Sequence, residues 1–287
     1  IDMAMKIGSS AAYVLTKNKK EVKVIIGNDG RESSYMLVAA LKAGLYSFGV
    51  SVLDAGLLPT PAISYLVKYY KMDAGIMVTA SYNSYEYNGI KIFDSNGYKL
   101  PDEVEDEIEK YVREGYKYQV NKMGRPLESR NFVEDYGNYL LDCLYKYNPN
   151  TDFSNLNIVI DTANGASSNT SSYIFSKLGC KYHIINNKPN GTNINNNCGS
   201  MHPEGLRQYI LENKLDGGVL YDGDADRDIF IDEEGNIIDG DYVLAIIGTD
   251  LKKKNKLHNN TIVGTVMNNL GFINYCKDNN INFIPTK

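Results

Sequence analysis

A chain of 287 residues is longer than one hydrophobic core usually serves, so two or three domains are expected. Hydrophobic residues at 43% and charged residues at 23% are ordinary for a globular protein, while a net charge of −5 argues against nucleic acid or an anionic membrane surface as the main partner. No apolar run approaches the roughly 20 residues that span a bilayer, and no basic-then-apolar leader opens the chain, so the cytoplasm is the expected location.

In chain order, residues 3–15 have helical periodicity, 22–26 read as a buried strand, 34–48 as a helix and 50–53 as a second short strand. A helix over 61–69 leads into the apolar strand 74–79. Residues 103–114 form a charged helix with acids in its first turn, where the helix dipole favours them, and should be a solvated face. A polar stretch over 115–130 precedes a helix near 133–145. Alternation then resumes with strand 158–161, a helix after Gly165, strand 182–185, a helix after Pro203 and strand 217–221. A third round begins at Gly240 with a helix to about 251, a strand over 262–266 and a helix over 269–278. This predicts the α/β class, as tandem similar domains with mixed, mostly parallel sheets sandwiched by helices. Ile1 is no initiator and residues 283–285 stop as a strand begins, so sequence is expected to be missing on both sides. Cys143, Cys180, Cys198 and Cys276 have no metal-ligand spacing and read as free thiols.

The sharpest chemical feature is Asp222, Gly223, Asp224, Ala225, Asp226, Arg227 at the end of a strand. If the backbone stays extended, a side-chain period of two puts the three carboxylates on one side. Such groups repel one another unless a cation sits between them, and hard oxygen donors suit Mg²⁺ or Ca²⁺. A helix-loop-helix calcium site would match aspartates one, three and five and Glu233 at position twelve, but Arg227 stands where that loop needs glycine and the flanks are strands. A solvated acidic turn is the bland alternative; metal binding is favoured.

Two further groups carry weaker signals. Ser81, in Thr79, Ala80, Ser81, Tyr82, Asn83, follows the apolar strand and precedes Lys91, as a nucleophile or phosphate carrier would, although such residues more often make turns. Arg31, beside Asp29 after the first strand, has the planar fork that holds phosphate, or else forms a surface ion pair. The glycine turn at Gly165 lacks the dinucleotide spacing and suits tight strand-to-helix packing.

Taken together, these segments resemble the α-D-phosphohexomutase superfamily over nearly the whole chain, most closely the branch acting on glucosamine phosphate. Thr79 to Asn83 is similar to the family's serine loop and Asp222 to Arg227 to its metal loop, while Leu58 to Tyr65, Asn88 to Lys91, Gly97 to Glu105 and Gly191 to Glu204 carry the branch likeness. The resemblance implies domain I over 1–129, domain II over 130–238 and the start of domain III over 239–287. It implies that Ser81 is a phosphoserine, that Ser81 with Asp222, Asp224 and Asp226 binds Mg²⁺, that Lys91 and Arg227 act in catalysis, and that Arg31 binds substrate. The reaction would interconvert glucosamine 6-phosphate and glucosamine 1-phosphate through a 1,6-bisphosphate, with no nucleic-acid or membrane partner; a homodimer is compatible with it. Tyr82 replaces the family histidine, Ser84 a proline and Asn28 a basic residue, and a phenol is no substitute for an imidazole as a proton carrier at neutral pH. Mannose or glucose phosphate mutases of the same superfamily, an inactive sugar-phosphate-binding remnant and a phosphatase with an aspartyl nucleophile at Asp222 are the alternatives.

Overall fold

The computed structural model describes residues 1–115 and 122–287. Residues 116–121 of the expected polar stretch over 115–130 thus lie outside the described residues.

The first unit runs α1 (Asp2–Thr16), β1 (Lys23–Asn28), α2 (Ser34–Ser47), β2 (Ser51–Leu57), α3 (Thr60–Tyr69), β3 (Ala74–Val78), β4 (Ile90–Phe93) and α4 (Asp102–Glu114). Its sheet has the order β2-β1-β3-β4, parallel except for β4. Successive residues of a strand face opposite sides, so this sheet has two cores. Val24, Ile26, Val52, Ala74, Ile76 and Val78 meet Val38, Leu41 and Leu45 of α2 on one face. Ile25, Leu53 and Met77 meet Ile63 and Leu66 of α3 on the other.

The second unit runs α5 (Phe132–Tyr147), β5 (Asn157–Asp161), α6 (Ser168–Lys177), β6 (Lys181–Ile185), α7 (Glu204–Asn213), β7 (Gly217–Tyr221), β8 (Asp228–Asp232) and β9 (Ile237–Ile238), with the sheet order β6-β5-β7-β8-β9. Strands β6, β5 and β7 are parallel and β8 and β9 antiparallel. Helix α5 ties the units together: Phe132 and Tyr136 complete the α3 core, while a Cβ on Gly137 would lie 2.4 Å from the Tyr173 ring of α6. The third unit contains α8 (Gly240–Lys253), β10 (Thr261–Thr265), α9 (Leu270–Asp278) and β11 (Asn282–Thr286), with β10 and β11 parallel.

The expected α/β class, tandem and mostly parallel, is the one observed. Two differences have physical causes. Strand β2 continues past Leu53 to Leu57 because its pairing with β1 resumes beyond a bulge; Asp54 breaks the apolar pattern but is exposed and pairs with Lys42 at 2.7 Å. Strand β4 gave no strand signal because it is four half-buried residues at an antiparallel edge.

Helices α1 and α2 touch backbone to backbone: a Cβ on Gly8 would lie 2.4 Å from Leu41 O, and one on Gly44 would lie 2.4 Å from Met5 O and 2.6 Å from Ser9 N. Alanine normally stabilises a helix over glycine, but here it would force two helices apart. Gly44→Ala is therefore expected to destabilise by about 1–3 kcal/mol, seen as a lower denaturation midpoint at unchanged slope. An unchanged or raised midpoint would mean the helices have room.

Candidate active site

Three loops meet where parallel strands run out, the usual ligand-binding edge of an open α/β sheet. Asp29 and Arg31 follow β1, Thr79 to Asn83 follow β3, and Asp222 to Arg227 join β7 to β8. The acidic loop is a tight hairpin and not the extended segment expected from side-chain alternation. Asp222 N donates to Arg227 O at 3.2 Å, Ala225 N donates to Asp222 O at 3.0 Å, and Ala225 has φ +53°. The turn gathers one oxygen from each of Asp222, Asp224 and Asp226 to within 4.8 Å of one another.

The carboxylates differ in environment. Asp222 is fully buried; its Oδ2 accepts from Ser81 Oγ at 2.6 Å and from Arg227 Nη2 at 2.9 Å. Burial is the main cause of its raised pKa, reinforced by Asp224 and Asp226 and opposed by Ser81 and Arg227. Asp224 is also fully buried, and burial pushes its pKa up; bonds from Lys91 and Thr60 outweigh this and hold it below the ordinary value. Its Oδ2 accepts from Thr60 Oγ1 at 2.5 Å and Lys91 Nζ at 2.7 Å, and Thr60 N also donates to its main-chain oxygen at 2.9 Å. Asp224 Oδ1 is buried without a hydrogen-bond partner. Lys91 also reaches Asp226 at 2.8 Å; burial lowers the lysine's pKa, but the two carboxylates raise it by more.

Ser81 has φ +55°, which is unfavourable for a side chain with a Cβ and persists only where the surroundings hold it. Thr79 Oγ1 accepts from Ser81 N at 2.8 Å and donates to Asp29 Oδ2 at 2.6 Å. The Ser81 hydroxyl faces the acidic loop, where Arg227 Nη2 also donates to Oγ. The Arg227 guanidinium lies 4.5 Å from the centre of the Tyr82 ring, a cation–π arrangement.

Ser81, Lys91, Arg227 and the three aspartates are thus brought together, but Arg31 is not available to substrate. It is fully buried: Nε donates to Asp29 at 2.8 Å, Nη1 to Tyr87 O at 3.0 Å and to Ser84 O, and Nη2 to Ser81 O and Asn83 O, both at 2.9 Å. Nε is spent on Asp29 and both terminal nitrogens on the carbonyls of residues 81, 83, 84 and 87, which corrects the expectation of a substrate phosphate ligand. Residues assigned no role from sequence also reach the site. Thr60 lies in the 58–65 stretch, and Asn195 lies in the 191–204 stretch, where its Nδ2 donates to Ser81 O and Asn83 O at 2.9 Å each. Their types gave no signal; only proximity reveals them.

Comparison with known proteins matches the chain to one family. Three models, the phosphoglucomutase/phosphomannomutase alpha/beta/alpha domains I, II and III, match residues 1–119, 134–235 and 239–287 in order. The chain is similar to the phosphoglucosamine mutase of Thermoanaerobacter sp. (strain X514), 46% identical over 99% of this chain and 63% of that protein. It is similarly related to the phosphoglucosamine mutase of Clostridium botulinum (strain Hall), 45% identical over 100% of this chain and 64% of that protein. The chain thus spans under two thirds of these relatives' length. Among solved structures it is similar to a phosphoglucomutase/phosphomannomutase family protein from Burkholderia thailandensis, with TM-score 0.79 and 22% identity over 100% of this chain and 62% of that one. The parafusin phosphoglucomutase of Paramecium has TM-score 0.76 and 20% identity, covering 99% of this chain and 58% of that one. The chain belongs to the phosphoglucomutase/phosphomannomutase family.

Proposed function

We propose that the protein is a phosphosugar mutase that interconverts glucosamine 6-phosphate and glucosamine 1-phosphate through a phosphorylated Ser81 and a 1,6-bisphosphate. The observation that carries this reading is the contact of Ser81 Oγ with Asp222 Oδ2 at 2.6 Å, which joins the serine of one unit to the acidic loop of the next. In the forward step the Ser81 Oγ–P bond breaks as a P–O1 bond to the sugar forms, and the O1 proton passes to Oγ, which is left as the free hydroxyl. In the return step the O6–P bond of the bisphosphate breaks as an Oγ–P bond forms, and the Oγ proton passes to O6, leaving glucosamine 1-phosphate. The relatives named phosphoglucosamine mutase, at 45–46% identity, favour the amino sugar over glucose or mannose.

The site suits a hard divalent cation, for which we propose Mg²⁺. Asp222, Asp224 and Asp226 offer converging oxygens, and the buried, unpartnered Asp224 Oδ1 is the kind of atom a cation satisfies. A phosphate on Ser81 would add a further oxygen; bound there, the ion would neutralise charge on the phosphoryl oxygens. A neighbour of the same fold, the Aspergillus fumigatus N-acetylphosphoglucosamine mutase, was solved with GlcNAc-6P and magnesium. The chain's own cations have distinct tasks. Arg227, already donating to Oγ, stabilises that oxygen as the phosphoryl group leaves it. Lys91, held by two carboxylates, acts as a fixed cation and keeps Asp224 and Asp226 in place.

Burial of Asp222 against Ser81 disfavours the aspartyl-nucleophile alternative, which needs that carboxylate open to substrate. The inactive-remnant reading rests on Tyr82 and on the missing domains; against the first of these grounds, the Tyr82 ring supports Arg227 in the site. We place the protein in the cytoplasm: its cysteines are free, and among the described residues no helix is long and apolar enough to cross a membrane.

The test is incubation of the full-length protein with phosphate-labelled glucosamine 1,6-bisphosphate, followed by peptide mass spectrometry. Label is expected on Ser81 and absent in Ser81→Ala, with glucosamine 6-phosphate turned over faster than glucose or mannose 6-phosphate; label on an aspartate would sink the mutase reading. For Tyr82, kcat of Tyr82→Phe should stay within about twofold of wild type, because the ring remains. Tyr82→Leu should lose about 2- to 5-fold, the worth of an exposed cation–π pair. Loss of activity in Tyr82→Phe would show instead that the hydroxyl is used.

A further inference from the structure

The 191–204 stretch supplies none of the reacting groups, yet it is wedged between the loops that do. Gly199 N donates to the buried Asp161 Oδ2 at 3.1 Å and Ser200 N to Tyr221 O at 2.9 Å, which anchors the stretch on the second sheet. Ile194 and Asn195 press on the acidic loop: a Cβ on Gly223 would lie 2.8 Å from Ile194 Cδ1, 2.8 Å from Asn195 Nδ2 and 2.6 Å from Ser81 O. Asn195 is buried, has φ +57° and is fixed by a bond from its own N to Ala163 O at 2.9 Å. Left-handed backbone is more tolerable for asparagine than for most residues.

We infer that Asn195 is a positioning residue that sets Ser81 in register with the acidic loop, an assignment that rests on the phosphoserine reading above. Its Nδ2 donates to Ser81 O and Asn83 O, the same carbonyls that Arg31 Nη2 reaches. The two donors have different origins. Arg31 belongs to the serine's own unit and ties the loop to its sheet. Asn195 belongs to the unit that carries the aspartates and ties the loop to them. The unfavourable backbone of Ser81 is thereby held between two bodies, and the 2.6 Å spacing from Oγ to Asp222 depends on both. A phosphoryl carrier displaced by about 1 Å loses rate on the order of 100-fold. Although it lies in a branch-specific stretch, Asn195 does not read the sugar, since its Nδ2 is spent on loop carbonyls and the residue is buried.

The test uses full-length protein in molar excess over labelled glucosamine 1,6-bisphosphate, with transfer of label to Ser81 followed in a single turnover. The rate constant reports geometry and the amplitude reports the competent fraction, so a merely structural role would lower only the amplitude. Asn195→Ala removes the donor, and Asn195→Asp keeps the size but turns an acceptor toward two carbonyls. Both are expected to slow the rate constant roughly 10- to 100-fold while leaving unchanged the preference for glucosamine over glucose 6-phosphate. A wild-type rate constant in both variants, a loss confined to amplitude, or an altered sugar preference would overturn the assignment. Absence of label on wild-type Ser81 would be a different result, removing the phosphoserine reading and this inference with it.

Discussion

Three carboxylates with oxygens within 4.8 Å of one another repel unless cations and donors stand among them, and the site is arranged around that constraint. Within their own loop only Arg227 is positively charged. The remaining compensation comes from the first unit: Lys91 bridges Asp224 and Asp226, Thr60 holds Asp224 through side chain and backbone, and Ser81 donates to Asp222. The repulsion that would scatter the aspartates thus draws one α/β unit onto another. The catalytic candidate, Ser81, is one of the groups drawn in.

That coupling accounts for how much backbone is committed to the serine loop. A buried ion pair such as Arg31 with Asp29 is weak support for stability by itself, because desolvation offsets attraction. Its value here is geometric. Arg31 spends its fork on the carbonyls of residues 81, 83, 84 and 87, so a loop with an unfavourable φ at Ser81 has one shape. Asp29 in turn supports Thr79, which receives Ser81 N. The chain from buried carboxylate to serine hydroxyl contains few exposed links, so the hydroxyl is held in one place.

The α/β architecture was legible because apolar strands such as 74–78 and helices such as α2 have clear periods and lengths, whereas β4, short and half-buried at an edge, had neither. The acidic loop was legible as a metal candidate because three like charges at this spacing demand a reason, although its shape was not: the hairpin at Ala225 is set by pairing of β7 with β8, which no local pattern encodes. Arg31 was misread because a fork that fits phosphate fits backbone carbonyls equally well, and only burial separates the two. Asn195 and Thr60 were invisible as site residues because their partners lie more than 100 positions away in sequence.

The central claim is that serine and aspartates form one site, and metal binding tests it most directly. Mg²⁺ titrated calorimetrically into full-length protein should bind more tightly when Ser81 is phosphorylated than after phosphatase treatment, since the phosphate adds a hard oxygen beside the three aspartates. Binding should be lost in Asp224→Asn. Equal affinity in the two forms, or undiminished binding in Asp224→Asn, would contradict the account.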